Sequence, residues 1–98
     1  MSEEKIESYD SISILVLDGG EILISKIEEI VADIGEPNCR LVDPFLINYE
    51  KATQSISLSQ WLNSYTTQNI FKISSDKILT MSEPRKQILD KYKNLLKK

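Results

Sequence analysis

Residues 12–34 read ISILVLDGGEILISKIEEIVADI, and the fold turns on whether the part after the two glycines is strand or helix. Ile12, Ile14, Leu15, Val16 and Leu17 form a first run rich in branched residues, the composition that suits a pleated, half-buried surface. Asp18, Gly19 and Gly20 then supply a tight turn, because glycine takes the positive φ that such turns require. A second run through Ile22, Leu23, Ile24, Ile27, Ile30 and Val31 completes a predicted β-hairpin. Its apolar phase changes along about eleven residues: Ile22 and Ile24 lie on one face, Ile27 and Val31 on the other, with Ser25 at the crossover. That pattern predicts a bent strand shared by both sides of a small barrel. The alternative is an amphipathic helix over 21–34, since Leu23, Ile27, Ile30, Val31 and Ile34 also fit spacings of three, four and seven.

Outward from the hairpin, Gly35, Glu36, Pro37 and Asn38 make a turn cluster. Cys39, Leu41, Phe45 and Ile47 alternate as a third strand, with Pro44 on its opposite face, tolerable only at a bulge or an unpaired edge. Residues 48–55 are a polar connection to a fourth strand at Ile56 and Leu58, which runs into a loop around Trp61, Leu62 and Tyr65. Two short strands follow, at Phe71 and Ile73 and at Ile78, Leu79 and Met81. The spacing then predicts a helix over 83–97: Ser82 as cap, Pro84 in the first turn, and Ile88, Leu89, Tyr92, Leu95 and Leu96 as one apolar stripe. Residues 1–10, polar apart from Ile6 and Tyr9, are expected to be a flexible lead-in. The expected architecture is one domain over 11–98, with about five bent antiparallel strands and a C-terminal α-helix.

Composition agrees with a mainly β class. The 98 residues include 14 Ile and 11 Leu against 2 Ala, and such a core favours sheets over helical bundles. A chain this short buries only about 60 to 65% of the surface its unfolded form exposes, so association with other copies is a natural source of stability. There is no His and one Cys, which excludes imidazole acid/base chemistry, catalytic triads, disulfide frameworks and thiolate zinc clusters. Glu28 and Glu29 lie on opposite faces of a strand and cannot cooperate as acid and base. No enzyme activity, metal or cofactor is expected. No apolar run reaches the roughly 18 residues of a membrane span, and MSEEK does not read as an export signal, so an intracellular, cytoplasmic location is expected.

Charge divides along the chain. Residues 1–50 hold three basic side chains against twelve acidic, minus nine; residues 51–98 hold nine against three, plus six, giving the net minus three. Arg85, Lys86, Lys91, Lys93, Lys97 and Lys98 make the terminal helix basic against Asp90 alone. Basic amphipathic helices meet nucleic acid, anionic lipid or acidic partners. The plainer reading is a helix covering an open barrel end with its lysines solvated.

The order of these elements resembles the Sm and LSm family, to which the bacterial Hfq-like proteins also belong. Leu15, Leu17, Gly20, Ser25 and Ile27 stand at positions of that family's first motif, with Ser25 replacing the usual Gly, and Asn38, Cys39, Arg40 and Leu41 match its end. Ile73, Ser74, Ser75, Asp76, Lys77 and Ile78 fit the frame of the second motif without its Arg-Gly pair. Glu36, Pro37, Cys39, Leu41 and Pro44, then Trp61, Asp76, Lys77, Ile78, Glu83 and Pro84, are similar to the pattern of Sm-like proteins of marine cyanophages. The helix departs from the usual order, in which it precedes the first strand.

This resemblance implies a small open β-barrel that assembles into a homo-oligomeric ring, the fourth strand of one subunit adding to the fifth of the next. Residues 69–81 would then lie at the interface, with Ile70, Phe71, Ile73, Ile78 and Leu79 on the edge strands. It also implies single-stranded RNA as a partner, held by Asn38 and by Ser74, Ser75, Asp76 and Lys77. Such binding needs cations for phosphates and aromatic or guanidinium faces for bases; Lys77 supplies one charge, and residues 33–38 supply no ring. The rival expectation is a protein-interaction module, such as a phage accessory factor docking on a host or phage protein through an exposed Trp61 patch.

Overall fold

A computed structural model describes residues 12–97; the lead-in expected at 1–10 lies outside the described residues. The elements are β1 (Ile12–Leu17), β2 (Ile22–Glu29), β3 (Cys39–Glu50), β4 (Ser55–Gln60), β5 (Ile70–Ile73), a 3-10 turn (Ser75–Lys77), β6 (Ile78–Ser82) and α1 (Lys86–Leu96). The strands form one antiparallel sheet in the order β4-β3-β2-β1-β6, with β5 also on β3. The fold is therefore mainly β, an open sheet with one terminal helix, compatible with a small open barrel. Leu17 N–H donates to Glu21 O at 2.9 Å across the first turn, and Gly20 takes φ +97° there, as the hairpin requires. Residues 22–29 are strand, which excludes the helical alternative.

β3 is the spine of the sheet. Its far half, Phe45–Glu50, pairs with β4, and its near half, Cys39–Val42, pairs with β5. β4 and β5 thus act as two pieces of one interrupted strand, with residues 61–69 looping out between them. The polar connection expected over 48–55 is shorter than the sequence suggested, because β3 and β4 together extend the ladder to Glu50 and Ser55.

The bend arises in β3. Ile24 lies opposite Phe45 and Lys26 opposite Val42, so β3 spends one more residue than β2 over this interval. Asp43 absorbs it with φ +55°, and Pro44, which has no N–H to give to a ladder, follows. This is the bulge that the proline demanded. The extra residue also reverses the faces of β3: Leu41 packs with Leu15, Leu17 and Leu23, whereas Phe45 packs with Ile24 and Tyr92. The single alternating face expected for Cys39, Leu41, Phe45 and Ile47 is corrected accordingly, since a one-residue insertion into a period of two exchanges the sides.

Two apolar clusters result. Leu15, Leu17, Leu23 and Leu41 fill the inside of the bend, with Ile27, Leu46, Trp61, Ile73 and Ile78 around them. Ile24, Phe45 and Tyr92 lie on the other side under α1, joined by Ile12, Ile14, Ile47, Leu58, Ile88, Leu95 and Leu96. Leu23, Ile24 and Ser25 are consecutively buried, because β2 is covered on both faces. The strand stops at Glu29 and not at Val31: Ile30 N–H donates to Asn38 O at 2.9 Å, closing a loop that leaves Val31 and Ile34 exposed.

A bulge strands backbone carbonyls inside a packed core, and buried carbonyls need donors. Two hydroxyls supply them. Tyr92 Oη lies 2.8 Å from Asp43 O and 3.3 Å from Val42 O, and Ser25 Oγ lies 2.8 Å from Lys26 O and 3.2 Å from Val42 O. Burial pushes the Tyr92 phenol well above its usual range; the Lys26 backbone N–H opposes this and the Asp43 carboxylate adds to it. Phe45 meets the same ring edge-on at 5.7 Å.

The helix begins later than its sequence signals indicate. Ser82 is the last residue of β6, opposite Ile14, so it cannot act as the cap. Pro84 precedes the helix, and Arg85 takes the cap position with no side-chain bond.

Candidate functional site

The loop after β2 and the 3-10 turn after β5 come together. Asn38 is the hinge between them. Its Nδ2 donates to Ser75 Oγ at 3.1 Å, and its Oδ1 accepts from Ser75 N–H at 2.8 Å. Ser74 Oγ accepts from Asp76 N–H at 3.3 Å, capping the turn. These bonds occupy the Asn38 amide within the protein itself. A recess of about 310 Å³ opens here, lined by Ala32–Glu36, Asn38, Ser74, Ser75 and Asp76. Its charged lining residues are Asp33, Glu36 and Asp76, all acids, which makes it unfavourable to phosphate.

Lys77, the one cation of that set, faces elsewhere. Its Nζ is 3.9 Å from Asp18 Oδ2 at the hairpin turn, and its carbonyl accepts from Asp18 N–H at 2.8 Å. The structure therefore gathers Asn38, Ser74, Ser75 and Asp76 and leaves Lys77 holding the β1–β2 turn against β6.

The expected edge residues fall on two strands that do not pair with each other. β5 is bonded to β3 and β6 to β1, and the sheet is open between them. Phe71 and Ile73 turn inward, Phe71 meeting the Trp61 ring edge-on at 5.4 Å and Ile73 joining the inner cluster with Ile78. Ile70 is 48% exposed. On β6 the register slips opposite Val16 and Leu17, so Leu79 bulges outward and is 62% exposed, with Met81 at 54%. Beside them runs a mainly apolar cleft of about 590 Å³, lined by Ile27, Glu29, Cys39, Ser75, Ile78, Leu79, Thr80 and Met81. Burial, followed by the nearby Glu29 carboxylate, raises the Cys39 thiol above its usual range, so the thiolate is disfavoured. No group of acids and Cys among the described residues is arranged to hold a metal ion.

A second groove was not foreseen. Ile56, Ser57 and Leu58 of β4 and Lys91, Asn94 and Leu95 of α1 enclose about 360 Å³. Tyr49 lies opposite Ile56 in the β3–β4 ladder and is 58% exposed. It continues the Phe45–Ile47 face, the one that carries the helix, so its ring stands on the groove side of the sheet. The alternation Phe45, Ile47, Tyr49 was the available signal.

No helix among the described residues is long and apolar enough to cross a membrane. A search of curated proteins finds no match. A family model covers residues 10–97, nearly the whole chain, and on that match the protein belongs to DUF6561, a family of unknown function.

Proposed function

We propose that this protein is a non-catalytic, Sm-like assembly subunit whose copies close into a homo-oligomeric ring, the outer edge of β6 in one copy pairing with the outer edge of the β4–β5 strand in the next. The observation that carries this reading is the open seam. β5 and β6 border it, each with one edge unpaired among the described residues, and Leu79, Met81 and Ile70 expose apolar surface there. Unpaired edges with apolar side chains invite another strand, and cyclic pairing satisfies all of them in a closed particle. The continuous β3 spine supports it too, since it fixes the β5 edge relative to β6 through the bend. The rival docking module loses its anchor, because Trp61 is half-buried against Phe71.

Light scattering on a sizing column tests the proposal. A particle of several times 11.2 kDa, unchanged on tenfold dilution, is expected for the native chain. A concentration-independent monomer overturns the reading.

A further inference from the structure

Met81 is the only methionine after Met1. It stands on β6 directly opposite the buried Leu15, and opposed residues of an antiparallel ladder share a face. Its side chain therefore lies on the inner, apolar face of the sheet, beside the open seam. There it is 54% exposed and lines the apolar cleft with Ile27, Cys39, Ile78 and Leu79. Two sulfurs thus meet in one cleft, and they differ in reactivity. Cys39 is buried, and burial with the Glu29 carboxylate keeps its thiol protonated. Since the thiolate is the reactive form, Cys39 is shielded from oxidants. A thioether needs no ionisation, and Met81 is open to solvent in the single chain.

We infer that Met81 is an oxidation site that controls assembly: a peroxide converts its thioether to the sulfoxide in the free subunit, and the sulfoxide keeps the seam from closing, which rests on the ring reading of that seam. In the step, the sulfur lone pair attacks one peroxide oxygen, the O–O bond breaks and an S–O bond forms. Sulfur loses two electrons, and hydrogen peroxide is reduced to water. The product replaces a flexible apolar side chain with one that carries a strong acceptor oxygen. Closing the seam would take that oxygen out of water in a mainly apolar cleft, and a ring repeats the cost at every seam. Leu79 supplies apolar contact that peroxide cannot alter, so Met81 alone makes the seam sensitive. Reduction by a thiol-dependent sulfoxide reductase returns the oxygen as water and restores the thioether.

Light scattering on a sizing column first establishes that the untreated chain assembles. The chain is then treated with hydrogen peroxide in urea, incubated with dithiothreitol to return any oxidised thiol, and refolded. Peptide mass spectrometry checks for one added oxygen at Met81 and none at Cys39. At a concentration at which the untreated chain is assembled, the sulfoxide chain should run near its monomer mass of 11.2 kDa with native circular dichroism. Methionine sulfoxide reductases A and B together, one for each sulfur epimer, should restore the particle. Met81→Leu, close in volume, should assemble both before and after the same treatment. In the folded state, peroxide should oxidise Met81 at least tenfold faster in Leu79→Lys, a monomer on the ring reading, than in the assembled native chain. A sulfoxide chain that assembles like the untreated one overturns the inference. So does loss of assembly in treated Met81→Leu, an equal oxidation rate in monomer and particle, or oxidation of Cys39 ahead of Met81 in folded Leu79→Lys. A native chain that is monomeric before any peroxide is added overturns the ring reading and the switch with it, so the two failures are told apart.

Discussion

The helix-covered half of the sheet and the seam between β5 and β6 are built from the same apolar residue types and end differently. Under α1, Ile24, Phe45 and Tyr92 are buried, and the carbonyls freed by the bulge are met by hydroxyls. At the seam, Ile70, Leu79 and Met81 stay in contact with solvent and two strand edges go unpaired among the described residues. One half completes itself; the other leaves the edges on which the proposed ring rests. Substitutions in the first should therefore damage folding, and substitutions in the second should damage only association.

The sharpest way to break this contrast is Tyr92→Ala, which empties a fully buried aromatic site and unpairs Asp43 O. A loss of about 3–5 kcal/mol is expected in urea unfolding; a loss under 1 kcal/mol would show that the helix merely rests on the sheet. Tyr92→Phe keeps the ring and removes the hydroxyl, for an expected loss of about 1–3 kcal/mol.

The same residue gives a pH signature. Its folded pKa is raised, so its neutral form is favoured by folding. That stability is fully present below the unfolded value of about 10 and declines as pH rises beyond it. Lysines titrate in the same region, so the informative quantity is the difference between native and Tyr92→Phe proteins. Their urea midpoints should converge between pH 9 and 11, in the manner expected if the hydroxyl is the group responsible.

Ser25→Ala, at a fully buried site, should cost about 1 kcal/mol and is measured in the same way. The smallest folding effect belongs to the seam: Leu79→Lys with Met81→Lys should still unfold in one cooperative urea transition while light scattering reports a monomer. A variant that fails to fold would mean that the seam is part of the chain's own core.

Much of this architecture was legible because its signals are local. The Asp18–Gly20 turn, the proline at the bulge and the 88–96 stripe each lie within a few residues. Asp43 was not legible: a non-glycine residue at positive φ carries no compositional mark, and its one-residue insertion reversed the faces of everything after it in β3. The helix start was misplaced because Ser82 serves a strand partner 68 positions earlier, Ile14, which local capping rules cannot see. At the candidate site, the resemblance singled out Asn38 and Ser75 as separate loop positions, and the bonds that join them are tertiary. The acidic lining was not legible either, since it depends on which carboxylates the loop of 31–37 brings round. Tyr49 was hidden inside a stretch read as polar, although one more step of the β3 alternation would have reached it.

The long reach from Asp43 to Tyr92 has a consequence for synthesis. The bond between them spans 49 positions, and at ribosomal speeds of about 5–20 residues per second the hydroxyl arrives roughly 2–10 s after the carbonyl it serves. Through that interval Asp43 O is without the hydroxyl that meets it in the folded protein. A chain truncated before residue 92 would hold all six strands and lack the hydroxyl that meets Asp43 O.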